Sequence, residues 1–581
     1  MTTGRAHHLT WRHRVIAFLV FGMFVAAIGR LYQVQIVDHE KFVKEAAITR
    51  QGAVNIPAPR GAVLDATGYP LATSIDTWDV YIDRVQWGHQ PIVAREAAEK
   101  LAEFFGLKSD ELFRLGLEAR GGDVLVQRQM DYARGLTLEK AGLYGVRLEA
   151  SQVRVYPEGD IAGQLLGFVG RDGKGLWGVE ADFDHYLRGK DGIVSTERDA
   201  LGRPIAFSAR NERGAIGGGE VQLTIDRFIQ AIAERALEDA LKKYNARSGQ
   251  ILVMDPHTGA VLAMASRPSV RLGAVNLDDQ NLADLVRGRA ITDLYEPGSV
   301  MKILTTAMAI DQGLVTSDST YVDTGSIEVS KYRILNWDFS ANGTTTVRKY
   351  LQKSLNTGSV WLGQKVGPDK FYEYVKGFGL GESTHVGLSG EAEGTYRTPS
   401  DANWYAVDLA TNSYGQGLAT TPLAMLTAVN SMANKGVLMR PYVVSKIVTK
   451  NDVRTFEPVQ VRQVVSPTTA ETMMGLLRDV VDGTEFHGAQ VKGYSVAGKT
   501  GTTLVSIPTG YDLDSTIASF AGFIPAQDPK VSVLIKIDQP TGGMNLGGQV
   551  AAPVFTSVAD QIMKYYAVPP NTLPRNLVRT P

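Results

Sequence analysis

Three short clusters in this 581-residue chain combine residue types suited to acyl transfer. The first is Ser299 with Lys302, inside YEPGSVMKILTTAMAI. Pro297 and Gly298 break the chain ahead of a strongly apolar helical run, which predicts Ser299 at a helix N-terminus and Lys302 one turn on, on the same face. A serine hydroxyl is a poor nucleophile until a nearby base takes its proton, and a lysine can act as that base only when neutral. The helix N-terminus also favours negative charge developing on the serine oxygen. The second cluster is Ser354 with Asn356, spaced S-x-N at a break between helical segments in LQKSLNTGSVWLGQKVG. A competing S-x-N, Ser340 to Asn342, precedes Gly343, and Asn-Gly reads as an exposed turn. The third is Lys499-Thr500-Gly501-Thr502, expected on a strand. There Thr500 and Thr502 face one way, and Gly501 leaves the strand edge open to close approach. Each cluster alone has an ordinary explanation, such as a capping serine followed by a surface lysine.

The third cluster also completes G-x-x-x-x-G-K-T from Gly493 to Thr500, the form of a phosphate-binding loop. Such a loop must join a buried strand to a helix. No run of apolar residues precedes Gly493, and the β-branched Thr502 and Thr503 followed by Pro508 oppose a helix afterwards. A single strand from Tyr494 to about Val505 fits better. The run ILVMD at 251–255 has the form of a second nucleotide-site strand, but DPHTG and AVLAMAS follow at once, the pattern of a β-hairpin.

The elements that must position these residues are spread along a long chain. Its length leaves room for several domains. The run Val15 to Val37 is mostly apolar, is interrupted by Arg30 and follows Arg5, Arg12 and Arg14, with Asp38 as the first acid. That pattern predicts a membrane anchor over 15–37 with a cytoplasmic tail over 1–14 and the remainder outside; a cleaved signal peptide is the rival. Residues 38–219 mix short strands, glycine-rich turns and helices such as 91–106, with no catalytic cluster. GAIGGGE at 214–220 reads as a flexible boundary. A second region over 220–567 begins with VQLTID and the amphipathic stretch 227–244, then alternates hairpins with apolar helices, an α+β pattern. The proline-rich tail 568–581 is expected to be disordered. The net charge of −1 argues against a nucleic-acid partner. With no cysteine and nine histidines in no ligand-like spacing, disulfides and thiol catalysis are excluded, and neither a metal site nor a cofactor is expected.

The order S-x-x-K, S-x-N, K-T-G is the signature of penicillin-recognising acyl-serine enzymes. On these motifs, and on PRGAVLDATGYPLA (59–72), RVYPEGDIAGQLLGFVGRDGKGLWGVE (154–180), SYGQGLATTPLAM (413–425) and FAGFIPAQDP (520–529), the chain resembles the class B penicillin-binding proteins, most closely the septal transpeptidases. The resemblance implies a non-catalytic, elongated pedestal over 38–219 below a penicillin-binding/serine β-lactamase-like domain with a central antiparallel sheet. It implies Ser299 as nucleophile, Lys302 as its base, and Ser354 as a proton relay. Asn356, Lys499, Thr500, Gly501 and Thr502 would bind the substrate, with the backbone of Ser299 and Thr502 holding the oxyanion. The implied partners are peptidoglycan stem peptides, β-lactams as inhibitors, the membrane, a polytopic glycosyltransferase and division proteins. The rivals are an elongation or sporulation transpeptidase, a β-lactam sensor and a β-lactamase. A class A β-lactamase needs a glutamate in E-x-x-L-N, and the nearest text, RILN at 333–336, has Arg333 there.

Overall fold

The computed structural model describes residues 5–42, 51–118, 122–197, 211–483, 488–508, 510–541 and 543–572. The described chain begins with one continuous helix, Arg5–Tyr32, extended by a wider turn over Gln33–Val37. At 1.5 Å per residue its 28 residues run about 42 Å, more than the roughly 30 Å hydrocarbon core of a bilayer. Phe18, Phe21, Met23 and Phe24 are all exposed along it, so it is a helix long and apolar enough to cross a membrane.

Two compact units follow from the packing. The first comprises residues up to Pro59, Asp76–Val153 and Gly189–Gly217. Its core gathers around Trp87, fully buried with its indole N–H donated to the Tyr144 carbonyl. The helix Pro91–Phe105 faces this core with Ala94, Ala97, Ala98 and Leu101, a three- and four-residue spacing that makes one apolar stripe. Gly116 and Gly145 are required here, since a Cβ on either would lie 2.4 Å from the Trp87 ring.

The second unit holds Arg60–Ile75, Arg154–Arg188 and Gly218–Pro581. Its centre is a five-stranded antiparallel sheet in the order Val261–Arg267, Ser248–Met254, Val531–Asp538, Gly510–Ile524, Ala497–Ile507. The inner strands are apolar on both faces because helices cover both. Ile251 and Val253 point into one core with the helices Arg227–Tyr244 and Gly547–Tyr565, while Leu252 and Met254 point into the other with Met301–Asp311 and Pro422–Ala433. The hairpin expected at 251–265 and the helix expected at 227–244 are both present. Asp226 caps that helix by accepting the N–H groups of Phe228 and Ile229.

Two expectations, on the glycine run and the tail, need correction. By packing, Arg60–Ile75 and Arg154–Arg188, which lie within the stretch 38–219 expected as pedestal, group with the second unit. These segments share the unit's apolar core through Val63, Leu71, Leu165 and Phe168, and buried ion pairs hold them as well. Glu180, with no solvent exposure, accepts from Arg60 at 2.7 Å and from Arg154 at 2.7 Å, and Arg227 reaches buried Asp65 at 2.9 Å. Glu234 adds a bond from the Ala162 N–H at 2.7 Å. The glycine run is not slack chain: Gly219 N–H donates to the Tyr186 carbonyl, and a Cβ on Gly218 would sit 1.7 Å from the Leu187 oxygen. These glycines permit close backbone contact. Finally, the first residues of the expected disordered tail are bound. The Asn571 N–H donates to the Gly493 carbonyl, its side chain accepts from the Ser495 N–H, and the Tyr494 hydroxyl donates to the Val568 carbonyl. Gly493, at φ +88°, turns the chain to make this possible and delays the strand start to Ala497. Residues 573–581 lie outside the described residues.

Removing Glu180 would leave the nearly buried Arg154 without a carboxylate and Arg60 with only Asp184. Glu180→Ala is therefore expected to lower unfolding stability by about 3–5 kcal/mol. Denaturant unfolding of the purified protein measures this; a loss below about 1 kcal/mol would contradict the role given to these pairs.

Candidate active site

Ser299 occupies the single turn Gly298–Val300 that opens directly into the helix Met301–Asp311. The turn is clamped on two sides by glycines. Gly298 N–H donates to the Gly415 carbonyl at 3.0 Å, and a Cβ on Gly415 would lie 2.2 Å from the Gly298 oxygen. On the other side Gly501, on the edge strand of the sheet, would bring a Cβ to 2.8 Å from the Pro297 oxygen. The bare strand edge expected from the sequence is thus what lets the serine turn lie against the Lys-Thr-Gly strand.

Lys302, one turn beyond Ser299, is fully buried. Its Nζ donates to the Ser354 carbonyl at 2.6 Å and to Asn356 Oδ1 at 2.9 Å, with Ser354 Oγ at 3.4 Å. Lys499, 1% exposed, donates from its Nζ to the same Ser354 Oγ at 2.9 Å and to the Thr500 carbonyl at 3.2 Å. The two lysines therefore meet at Ser354. Among the described residues neither has a carboxylate partner. Burial pushes the Lys302 amine well below the ordinary lysine range, and the positive charge of Lys499 pushes it further. Burial also lowers Lys499, to about 7. A neutral Lys302 has two N–H bonds, matched by its two close acceptors, and its lone pair is left to take a proton. Ser299 Oγ makes no hydrogen bond to Lys302 in this resting arrangement of the described residues, and such contacts commonly tighten only when substrate binds.

Ser354 sits between the helices Val347–Lys353 and Asn356–Val366 in left-handed backbone, φ +55°. A non-glycine residue there is strained and must be held by its surroundings. Asn356 Nδ2 donates to the Leu335 carbonyl at 2.9 Å, and a buried carboxylate supports the next residue. Asp323 accepts from Thr357 Oγ1 at 2.8 Å, from Asn336 Nδ2 at 3.0 Å and from Asn342 Nδ2 at 2.7 Å. Burial raises the Asp323 carboxyl, but these donors and the Gly325 N–H outweigh it and hold it below the usual range. Asn342, the asparagine of the competing S-x-N, is thus part of the turn that carries this support.

Thr500 and Thr502 are both half-buried and alternate with buried Lys499, Gly501 and Thr503, as period two requires. Thr502 Oγ1 accepts the Gly547 N–H at 2.9 Å, which leaves its own hydroxyl hydrogen free to donate. The fold therefore brings Lys302, Ser354, Asn356 and Lys499 into one hydrogen-bonded cluster beside the Ser299 turn. Asp323 was missed in sequence because TYVDTGS carries no motif. Glu296 was missed too: it lies three residues before Ser299 and accepts from Tyr511 and from the Gly417 N–H.

Comparison with known proteins agrees with this geometry. The family model described as "Penicillin binding protein transpeptidase domain" matches residues 249–563, and "Penicillin-binding Protein dimerisation domain" matches residues 55–223. An S-x-x-K, S-x-N, K-T-G site on a helix-covered antiparallel sheet marks a penicillin-recognising acyl-serine enzyme, and the matched family model makes it a transpeptidase. The chain belongs to the class B penicillin-binding proteins. It is similar to the stage V sporulation protein D of Bacillus subtilis, 31% identical over 97% of this chain and 88% of that protein. It is also similar to the peptidoglycan D,D-transpeptidase FtsI of Escherichia coli, 28% identical over 98% of this chain and 94% of that protein. Among solved structures, penicillin binding protein 3 from Mycobacterium tuberculosis, complexed with aztreonam, has a TM-score of 0.68 at 27% identity, covering 89% of this chain and 98% of that one.

The two lysines make opposite demands on pH. Lys302 must be neutral to accept a proton, and Lys499 must be charged to attract a carboxylate. The second-order rate of acylation by a β-lactam is expected to fall on the alkaline side as Lys499 loses its proton, from about 7 upward in the free enzyme. Lys499→Arg, whose guanidinium stays charged, is expected to remove that alkaline fall while lowering the maximum rate. An alkaline limb unchanged in this variant would assign it to another group.

Proposed function

We propose that this protein is a peptidoglycan D,D-transpeptidase that cross-links stem peptides through an acyl-serine intermediate, in septal wall synthesis. The observation that carries the chemistry is the meeting of Lys302 and Lys499 at Ser354 beside the Ser299 turn. Ser299 Oγ attacks the carbonyl of the penultimate D-alanine, and its proton passes to neutral Lys302. The peptide C–N bond then breaks. Ser354 relays a proton to the departing D-alanine amine, and an ester on Ser299 remains. The amine of a second stem peptide attacks that ester, the bond to Ser299 Oγ breaks, and the proton returns to the serine oxygen. Lys499, Thr500 and Thr502 hold the terminal carboxylate, and Asn356 binds the donor backbone. The backbone N–H groups of Ser299 and Thr502 face the oxyanion, usually the largest single catalytic contribution. β-Lactams imitate the donor and trap Ser299.

In this reading the apolar run at 15–37 anchors the chain with its catalytic unit outside the cytoplasmic membrane, and residues 38–219 supply the pedestal. A polytopic glycosyltransferase and division proteins are the expected partners. The septal role is supported by the extent of the likeness to FtsI; the sporulation protein sets the alternative. Depletion that gives undivided filaments supports the septal role, whereas normal division with defective spores supports the other.

Two experiments test the reading. Ser299→Ala is expected to abolish covalent labelling by fluorescent penicillin, and Lys302→Ala to slow it by about 10²–10⁴-fold. Labelling that survives in Ser299→Ala would refute the assignment. The anchor is tested by N-terminal sequencing of the membrane-extracted protein: an intact basic tail is expected, and a chain beginning near Ile28 would show a cleaved signal peptide.

A further inference from the structure

The strand bearing Lys499 to Thr502 does not end with the sheet. It pairs regularly with its neighbour as far as Leu504 opposite Thr516, and then the register jumps so that Val505 faces Asp512. Residues 513–515 bulge out at this point, with Leu513 78% exposed. Beyond the bulge no third strand supports the hairpin among the described residues, because Val531–Asp538 meets the Gly510–Ile524 strand only over Ile517–Ile524. Residues 505–512 thus include a two-stranded arm projecting from the edge of the sheet. A two-stranded ribbon alone is marginally stable in water.

Among the described residues of the arm, the side-chain hydrogen bonds to the body of this unit are those of Tyr511. Its hydroxyl reaches both oxygens of Glu296, at 3.0 and 3.1 Å. Glu296 also accepts the Gly417 N–H at 3.0 Å. Its neighbours in the chain are tied to the same structure: the Tyr295 N–H donates to the Thr420 carbonyl, and the Gly298 N–H to the Gly415 carbonyl. One carboxylate therefore joins the Ser299 turn, the 415–420 segment and the arm of the Lys-Thr-Gly strand. Glu296 has no cationic partner among the described residues, so its hydrogen-bonding capacity is committed to this junction.

We propose that Glu296 and Tyr511 form a latch that fixes the arm, and through it the Lys-Thr-Gly strand, against the serine turn, making both positioning residues for acylation. The inference rests on the transpeptidase reading but concerns groups outside the acylating cluster. The Tyr511 hydroxyl, on the residue opposite Ser506 and so four positions beyond Thr502 along the strand, ties the arm to the carboxylate that precedes the Ser299 turn. The hydrogen bond to a charged acceptor is of the stronger kind.

The test is a double-mutant cycle on the full-length protein, read in two ways. Tyr511→Phe removes the hydroxyl and keeps the ring; Glu296→Ala removes the acceptor; Glu296→Gln keeps one acceptor oxygen. Tyr511→Phe and Glu296→Ala are each expected to slow fluorescent-penicillin acylation roughly tenfold, the double variant no more than either, and Glu296→Gln to retain most of the wild-type rate. Amide hydrogen exchange provides the second reading. Residues 505–507 and 510–512 are expected to exchange faster in Tyr511→Phe, with residues 517–524 unchanged. Additive losses, or arm exchange that Tyr511→Phe leaves unaltered, would overturn the latch. A wild-type protein that takes no label would refute the transpeptidase reading instead, and the exchange measurement would still decide the latch.

Discussion

Two buried lysines, without a carboxylate partner among the described residues, share one half-buried serine, and much of the catalytic unit is arranged around that constraint. Moving an ammonium out of water is costly, and two such charges side by side cost more than the sum. Burial lowers both amines, Lys302 well below the ordinary lysine range with the charge of Lys499 adding to the shift, and Lys499 to about 7. The burial that penalises charge on Lys302 thus favours the neutral form that a base requires. Neutral acceptors surround Lys302: a backbone carbonyl and an amide oxygen, neither of which would pull it back to the charged form as strongly as a carboxylate. Ser354 must present both its carbonyl and its hydroxyl to this pair, which explains why its backbone is held in a left-handed conformation between two helices.

Holding that conformation falls to groups with no chemical role. Asp323 gathers donors from Asn336, Asn342 and Thr357, so a turn far upstream in sequence braces the start of the helix that carries Asn356. The second unit uses buried carboxylates in a similar way elsewhere. Glu180 binds Arg60 and Arg154, and Asp65 binds Arg227, drawing segments from before residue 190 into the body of the catalytic unit. Buried ion pairs contribute little net stability compared with apolar packing, but they discriminate strongly against misplaced partners. Here they specify which early segments belong to the late unit.

What the sequence disclosed followed from chemistry and periodicity. Ser299, Lys302, Ser354, Asn356 and Lys499 were legible because acyl transfer constrains residue type and order along the chain together. The helix at 227–244 was legible because its apolar residues repeat at the helical period. Long-range pairing left no such trace. Nothing near Arg60 announces Glu180, and nothing in TYVDTGS marks Asp323 as a hub, because a carboxylate reads alike on a surface and in a core. The glycines at 218 and 219 suggested slack because glycine serves both freedom and close contact, and only the neighbouring Leu187 and Tyr186 carbonyls decide between them.

The glycine clamp on the serine turn also bears on how resistance to an inhibitor could evolve. Gly415 and Gly501 meet backbone oxygens on opposite sides of the turn at distances that admit no side chain. Backbone atoms cannot change rotamer to make room, so mutations there would disable the native reaction together with its inhibition. Selection by a drug must therefore act on parts of the cleft that can yield without moving Ser299. Exposed side chains such as Trp337 and Phe339 carry no such backbone constraint, so variation is tolerated there while the clamp stays invariant.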